Sequence, residues 1–460
     1  MEITRKIWAE SALLPDGWAK SVEIGVDPMG NIDTLTCDCD KSDGERVSIL
    51  LPAIPNLHSH AHQRAMAGLA ERAEPLDARS CDSFWTWRKA MYHYLERIEP
   101  DHLQAIAAQL YLEMLKRGYS CVGEFQYLHH SWNGRPYDNI AEMSLRCLEA
   151  ARETGIGFTA LPVLYRYGGF GELDPLPGQQ RFLNNADGFL EIVQLLQEAT
   201  AGDQNASVGI APHSLRAVSK DLLDSVIANL DDVAAIHIHI AEQSKEVDDC
   251  LVWSKQRPVE WLLEHFDIDS HWCLVHATHM TSAETTALAR KGGVAVLCPT
   301  TEANLGDGLF NAVEYFAHDG RWAIGSDSHI SVDPVEELRW LEYGMRLNTG
   351  NRNVLVSADQ RDTGRCLFDG ATSGGREASG RAVGRIAIGY RADMIVLDHD
   401  HPRLYGQVED SVLNSWIFSG NDNLVRDVYV GGCKVIKVGH HAAEVEIATR
   451  FRATLDALAE

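Results

Sequence analysis

The chain has 460 residues, 45% apolar and 23% charged, and a formal net charge of −25, enough length for one large domain with a smaller one beside it. That acidic balance argues against a nucleic-acid or anionic-membrane surface, because phosphate binding needs clustered Lys and Arg. The start, Met1-Glu2-Ile3-Thr4-Arg5-Lys6, lacks the apolar core of a signal peptide, no run approaches the roughly 18 apolar residues of a membrane helix, and ten scattered cysteines without a C-x-x-C pair fit reduced thiols, so a soluble cytoplasmic protein is expected.

In chain order, residues 1–50 read as short strands of a small sheet domain, divided by Pro15-Asp16-Gly17 and Pro28-Met29-Gly30-Asn31, with strand-like alternation over 21–26. From Leu51 short β-rich runs alternate with longer helical patterns, as in a parallel sheet with crossover helices. Eight such runs occur, at 53–58, 120–125, 158–165, 207–211, 235–240, 272–276, 293–298 and 322–326, and eight is the number that closes a (β/α)8 barrel. Between them, Leu103, Ile106, Ala107, Leu110 and Met114 make one helical stripe closed by Gly118. After the eighth run, Asp333 predicts an N-cap, Pro334 the first helical position, and Glu336 a capping box, with Leu338, Leu341 and Met345 facing inward. Past about residue 375 the pattern returns to sheet: 384–398 reads as two short strands around a turn, and 425–438 as a hairpin through Gly431-Gly432. The expected architecture is therefore α/β: a TIM-type barrel over 51–374, a small β-sandwich domain from 1–50 and 375–440, and a C-terminal helix within 441–460.

An active site on such a fold gathers at the C-terminal ends of the strands. Metal-capable residues fall there: His58 and His60 after the first run, Glu124 after the second, His213 after the fourth, His239 in the fifth, His276 ending the sixth and Asp327 following the eighth. In an extended backbone His58 and His60 point to the same side, so both can reach one ion at about 2.0–2.1 Å. His58, His60 and His239 supply neutral nitrogen ligands and Asp327 an oxygen, which leaves a position for water whose pKa falls from about 16 to around 7. His237, one layer deeper than His239, reads as a satisfied interior histidine. Glu242, three residues after His239, can carry a proton from that water to a leaving nitrogen. His276 is placed to hydrogen-bond the water or the charge developing on the substrate.

The set His58-x-His60, His239-x-x-Glu242, His276 and Ser326-Asp327 resembles the amidohydrolase superfamily, in its deaminase branch that works with one divalent metal. The likeness runs over nearly the whole chain and includes Gly389-Tyr390-Arg391-Ala392-Asp393 near its end. Strand four offers His213 and no lysine that could be carboxylated as a bridge, which favours one metal ion per chain, zinc, over two. The segments 56–68, Ser83-Phe84-Trp85-Thr86-Trp87-Arg88, 124–130, 211–216 and 298–308 look most like those members that deiminate formimidoylglutamate in histidine degradation. The resemblance implies hydrolysis of N-formimidoyl-L-glutamate to N-formyl-L-glutamate and ammonia by a metal-bound hydroxide, with Glu242 moving the proton, His276 and Asp327 steadying the intermediate, and a homodimeric protein. A dianionic small-molecule substrate calls for guanidinium forks; Arg88 and Arg216 are the candidates, with Gln63, Tyr127 and His213 as hydrogen-bond partners. His62 departs from the pattern, in which an aromatic such as Phe is usual.

Two rivals are a related deaminase of a neutral heterocycle, such as guanine or an adenosine derivative, and a barrel without catalysis that serves as an interaction protein. The first needs stacking aromatics and amide donors where the arginines stand. The second has no use for an intact ligand set with Glu242 and His276.

Overall fold

The computed structural model describes residues 5–40, 42–71, 84–230 and 233–459; residues 1–4, Cys81 and Ser83 of the sequence reading lie outside them. Four strands open the chain: β1 (Arg5–Leu14), β2 (Gly17–Val26), β3 (Ile32–Thr36) and β4 (Glu45–Pro52). Nine follow in the long middle stretch: β5 (Ile54–Ser59), β6 (Tyr119–Gln126), β7 (Gly157–Leu164), β8 (Ala206–Val208), β9 (Ala211–Pro212), β10 (Ile236–Ile240), β11 (Trp272–His276), β12 (Val294–Leu297) and β13 (Arg321–Ile324). The chain closes with β14 (Met394–Leu397), β15 (Val425–Val430) and β16 (Cys433–Ile436).

The middle strands pair in parallel, in the orders β5-β6-β7-β8 and β10-β11-β12-β13, as the alternation with helices requires. Parallel bridges Ile210↔Ile236 and Ser214↔His239 link one sheet to the other, and Ser59↔Asp327 links β5 to the segment after β13. Nearly every residue of these strands is buried on both faces, which explains their continuous apolar runs. The run at 207–211 is broken into β8 and β9: at Gly209 the backbone lies so close to the neighbouring strand that a Cβ would stand 2.6 Å from the Ala235 carbonyl.

Strands from both chain ends form one seven-stranded sheet, β16-β15-β14-β4-β1-β2-β3. Its two faces separate by alternation. Leu50, Met394, Val396 and Tyr429 join a small core of their own, whereas Ile49, Leu51, Ile395, Leu397, Val428 and Val430 face the main core. The β15–β16 hairpin turns through Gly431 and Gly432, at φ +54° and +71°, as the Gly-Gly pair predicts. The strand expected at the start of 384–398 is absent: Gly384 and Gly389 both take positive φ, and Gly389 N donates to Ile32 O, so this stretch runs as turns and only Met394–Leu397 extends.

Among the helices, α1 is Phe84–Leu95 and α2 is Pro100–Arg117. The α2 stripe is buried as expected, and Gly118 ends it in the left-handed conformation at φ 100°. The helix Glu444–Ala459 packs over α2, and α2 buries Ala108 and Leu112 outside that stripe as well. Asp333 caps the helix Pro334–Thr349 by accepting from Val335 N, but Glu336 takes the Ser331 hydroxyl instead of completing a capping box. No helix among the described residues is long and apolar enough to cross a membrane.

Candidate active site

The polar residues at the strand ends meet because the backbone brings them side by side. Asp327 N donates to His58 O at 3.0 Å, and His60 N to Asp327 O at 3.4 Å, so the end of β5 and the segment after β13 are stitched across the two histidines. Gly325 permits this approach, since a Cβ there would lie 2.5 Å from His58 Cβ. The chain bends sharply as it leaves the strands. Ala241, His276, Ala277, Asp327 and His329 all have positive φ, between 45° and 67°, a conformation costing a non-glycine residue about 1–2 kcal/mol. Such strain concentrated where the functional side chains emerge is offset by the packing around them.

His58 Nε2 lies 3.1 Å from His60 Nε2 and 3.0 Å from His239 Nε2, and Asp327 Oδ1 is 3.5 and 3.3 Å from the first two. His60 Nδ1 donates to Phe125 O at 2.9 Å and His239 Nδ1 to His213 O at 3.1 Å, which fixes both tautomers and leaves their Nε2 lone pairs facing inward. Both of these lone pairs face His58 Nε2 at about 3 Å, the spacing of ligands each about 2.0–2.1 Å from one ion. Burial lowers the pKa of all three rings, so they stand as neutral donors. The donor set, three imidazoles and a carboxylate, therefore fits a divalent cation. His276 is part of the same cluster: ligand atoms of His58, His239, His276 and Asp327 lie within 4.8 Å of one another.

Glu242, just past β10, points a carboxylate oxygen to 3.8 Å from His276 Nε2, and Asp327 Oδ2 is also 3.8 Å from that nitrogen. Burial pushes the Glu242 carboxyl above its ordinary range, against the pull of His276 and Arg216. Burial pulls His276 down, but Glu242, Glu302 and Asp327 outweigh it and push it up to about 10. Glu302 holds the far side of that ring, with Oε1 3.3 Å from His276 Nδ1 and bonded to Cys298 N at 3.0 Å. Sequence pattern alone assigns Glu302 no role, and only the fold places it behind a ring 26 residues away.

Glu124 is set differently from the strand-end reading. It lies behind the cluster, where its carboxyl accepts from Ser59 Oγ (2.6 Å), Ala61 N (2.7 Å) and Tyr111 OH (3.0 Å). His329, not singled out in the sequence, accepts from His60 N at 3.1 Å and meets Ser326 Oγ at 3.0 Å. His237 bonds Ala378 O at 2.7 Å, away from the cluster. His62 also turns away, placing Nε2 2.8 Å from Tyr127 OH.

A cavity opens over the cluster. Gln63, Arg88, Tyr127, His213 and Arg216 all line it together with His60, His239, Glu242, His276 and Asp327. Arg88, on α1, lies over the Trp85 ring, 4.4 Å from its centroid. Arg216 leans on Glu246, a carboxylate buried behind it at 3.9 Å that also accepts from Glu242 N. Aromatic rings, among them Trp87, Tyr92, Tyr165 and Phe182, complete the wall with Met91 and Leu305.

An α/β fold of parallel strands with imidazoles and a carboxylate converging at the strand ends defines a metal-dependent hydrolase. The chain belongs to the amidohydrolase family, whose model matches residues 49–435. It is 50% identical to the formimidoylglutamate deiminase of Pseudomonas aeruginosa over 97% of each chain. It is 25% identical to a 5-methylthioadenosine/S-adenosylhomocysteine deaminase of Natronomonas pharaonis, over 85% of this chain and 81% of that one. Among solved structures, an amidohydrolase from Brucella melitensis superposes with a TM-score of 0.93 at 45% identity, covering 99% of this chain and all of that one. An adenosine deaminase from Xanthomonas campestris with bound zinc shares the fold, with a TM-score of 0.80 at 20% identity over 99% and 98% of the chains.

Proposed function

We propose that this chain hydrolyses N-formimidoyl-L-glutamate to N-formyl-L-glutamate and ammonia, as a step of histidine degradation. The observation that carries the reading is the pairing, on one cavity, of a cation-binding cluster with the two guanidinium groups of Arg88 and Arg216. A glutamate derivative brings two carboxylates, and planar guanidinium forks suit them. The activity of the P. aeruginosa relative supports the same choice.

His58, His60, His239 and Asp327 would hold one divalent ion, which we assign as zinc from its three nitrogens and one oxygen; when bound it supplies Lewis acidity to a water and to the substrate. Glu242 accepts a proton from the attacking water and delivers it to the departing nitrogen. The water oxygen bonds to the formimidoyl carbon, the bond from that carbon to the terminal nitrogen breaks, and ammonia leaves. His276, held from behind by Glu302, steadies the tetrahedral intermediate together with Asp327. Gln63, Tyr127 and His213 hydrogen-bond the substrate beside the two arginines.

The parallel sheets and their bridges support a closed (β/α)8 barrel over 51–374. The seven-stranded sheet with its own core supports a small β-sandwich domain from 1–50 and 375–440, followed by the terminal helix in 441–460. We further propose a homodimer working in the cytoplasm, which sedimentation of the purified protein and fractionation of the cells would test.

The decisive experiment is ammonia release assayed on N-formimidoyl-L-glutamate beside guanine and adenosine, with metal content measured on the same preparation. Turnover of formimidoylglutamate alone, with about one divalent ion per chain, is expected. Preference for a purine would replace this reading, and a protein purified without metal would remove it.

A further inference from the structure

His62 is fully buried one residue from Gln63 and two from His60, its ring centroid 6.1 Å from that of His60, yet it is neither one of the clustered ligands nor part of the cavity wall. Its Nε2 stands 2.8 Å from Tyr127 OH, while its Nδ1 is buried with no hydrogen-bond partner among the described residues. A proton on Nδ1 would thus be a buried donor without an acceptor, which costs more than an idle lone pair there. The ring proton therefore belongs on Nε2, and His62 donates to the Tyr127 oxygen.

Gln63 Nε2 donates to the same oxygen at 3.1 Å. A tyrosine hydroxyl has two lone pairs and one proton. With both lone pairs engaged, its proton can only be given away. The protein offers it Met91 Sδ at 3.2 Å, a weak acceptor, and Tyr127 and Met91 both line the cavity. We propose that His62 is a positioning residue which locks the Tyr127 hydroxyl as a hydrogen-bond donor into the cavity, so that the pocket selects an oxyanion over a donor group at that point. This rests on the dicarboxylate substrate proposed above. Were Tyr127 free to rotate, it could serve a donor or an acceptor equally; with His62 in place, a substrate amine or hydroxyl proton facing it finds no acceptor.

Three variants test the idea: His62→Phe keeps a flat ring without the donor, His62→Gln restores an N–H, and Tyr127→Phe removes the hydroxyl. The KM for N-formimidoyl-L-glutamate should rise about three- to tenfold in His62→Phe with kcat within about twofold of the parent, and fall back in His62→Gln. Adding His62→Phe to Tyr127→Phe should raise KM no further, because the two act through one hydroxyl. Glutarate binding, followed by calorimetry, should weaken in parallel, and nitrogen NMR of the parent protein should show His62 Nε2 as the protonated nitrogen. An unprotonated Nε2, additive effects of the two variants, or an equal loss in kcat would overturn the proposal. If the parent released no ammonia from formimidoylglutamate while Nε2 was protonated and glutarate bound through His62 and Tyr127, the substrate reading would fail and this inference would stand.

Discussion

The Ser59 hydroxyl donates to Glu124 Oε2 at 2.6 Å, tying the residue between the two histidines His58 and His60 to the neighbouring strand. Burial pushes the Glu124 carboxyl up to about 7, against the pull of the three donors it receives. Its raised value sets the sign of a pH effect. Below about pH 4.5 folded and unfolded chains both carry the proton; above it the unfolded chain ionises first, so this stability is lost progressively up to about pH 7. The loss is about 3 kcal/mol, since each pH unit between those two values is worth about 1.4 kcal/mol. Glu124→Gln, which cannot titrate, should lose less stability than the parent between pH 4.5 and 7 in urea unfolding. Parallel curves for the two proteins would show that Glu124 is ionised throughout.

A second prediction concerns Glu302 and His276, joined at 3.3 Å through Nδ1. Fixing that proton aims Nε2 at the cavity, where Glu242 and Asp327 stand at 3.8 Å. Glu302→Gln keeps the shape but removes the charge behind the ring. The expected result is a drop in kcat of about 10- to 100-fold, the usual effect of losing a carboxylate behind a functional histidine. Metal content should hold. A variant with full activity would show that the ring needs no such support.

Chelation should be felt as unfolding as well as inactivity. Without an ion the Nε2 lone pairs of His60 and His239 crowd His58 Nε2 at about 3 Å, and no cation offsets their burial. An ion present at about a thousand times its dissociation constant adds about 4 kcal/mol to the folded state. Calorimetry should show a lower Tm after chelation, restored by one equivalent of zinc. An unchanged Tm would mean that no ion occupies this cluster.

Arg88→Ala and Arg216→Ala should weaken substrate binding while leaving the metal in place. A hydrogen bond to a charged partner contributes about 1.5–3 kcal/mol, hence a rise in KM of roughly 10- to 150-fold for each. Glu242→Gln should retain the ion and lose kcat by a factor of about 10² to 10⁴. Arginine variants with unchanged KM would remove the anchoring role.

Much of this cluster was legible in the sequence because its imidazoles and Asp327 sit in or beside short apolar strands, where position along the chain translates into position in space. His58 and His60, two residues apart at the end of β5, needed no tertiary information. The supports were not legible. Glu302 reaches His276 only because the helix Pro299–Leu305 follows β12 back across the strand ends, and His329 reaches His60 N across 269 residues. Glu124 looks metal-facing from its place in the strand, but β5 carries an extra residue against β6 between Asn56 and Ser59, which sets Ser59 opposite Glu124, and the carboxyl takes the Ser59 hydroxyl instead. The missing first strand of 384–398 shows the same limit: two glycines at positive φ and a bond to Ile32 set turns where an extended run was expected.

Gly325 offers the sharpest test of how the fold makes the site. It follows β13 directly, and its φ lies outside the left-handed region, so alanine meets no conformational penalty there. The obstacle is space alone: a Cβ would stand 2.5 Å from His58 Cβ, 2.8 Å from His58 N and 3.0 Å from His58 Cα, all of them on the opposing strand and none on a flexible side-chain end. Overpacking of this kind costs about 1–3 kcal/mol. The strands can relieve it only by separating, which moves His58 away from Asp327. Gly325→Ala should therefore lose metal affinity by more than its loss of stability explains, whereas Gly292→Ala, at φ +82° with nothing within 4 Å of the added Cβ, should cost stability through backbone strain and leave the metal alone. Titration of both variants with zinc, beside urea unfolding of each, separates the two effects. Full metal affinity in Gly325→Ala would show that the contact between β13 and His58 does not set the ligand geometry.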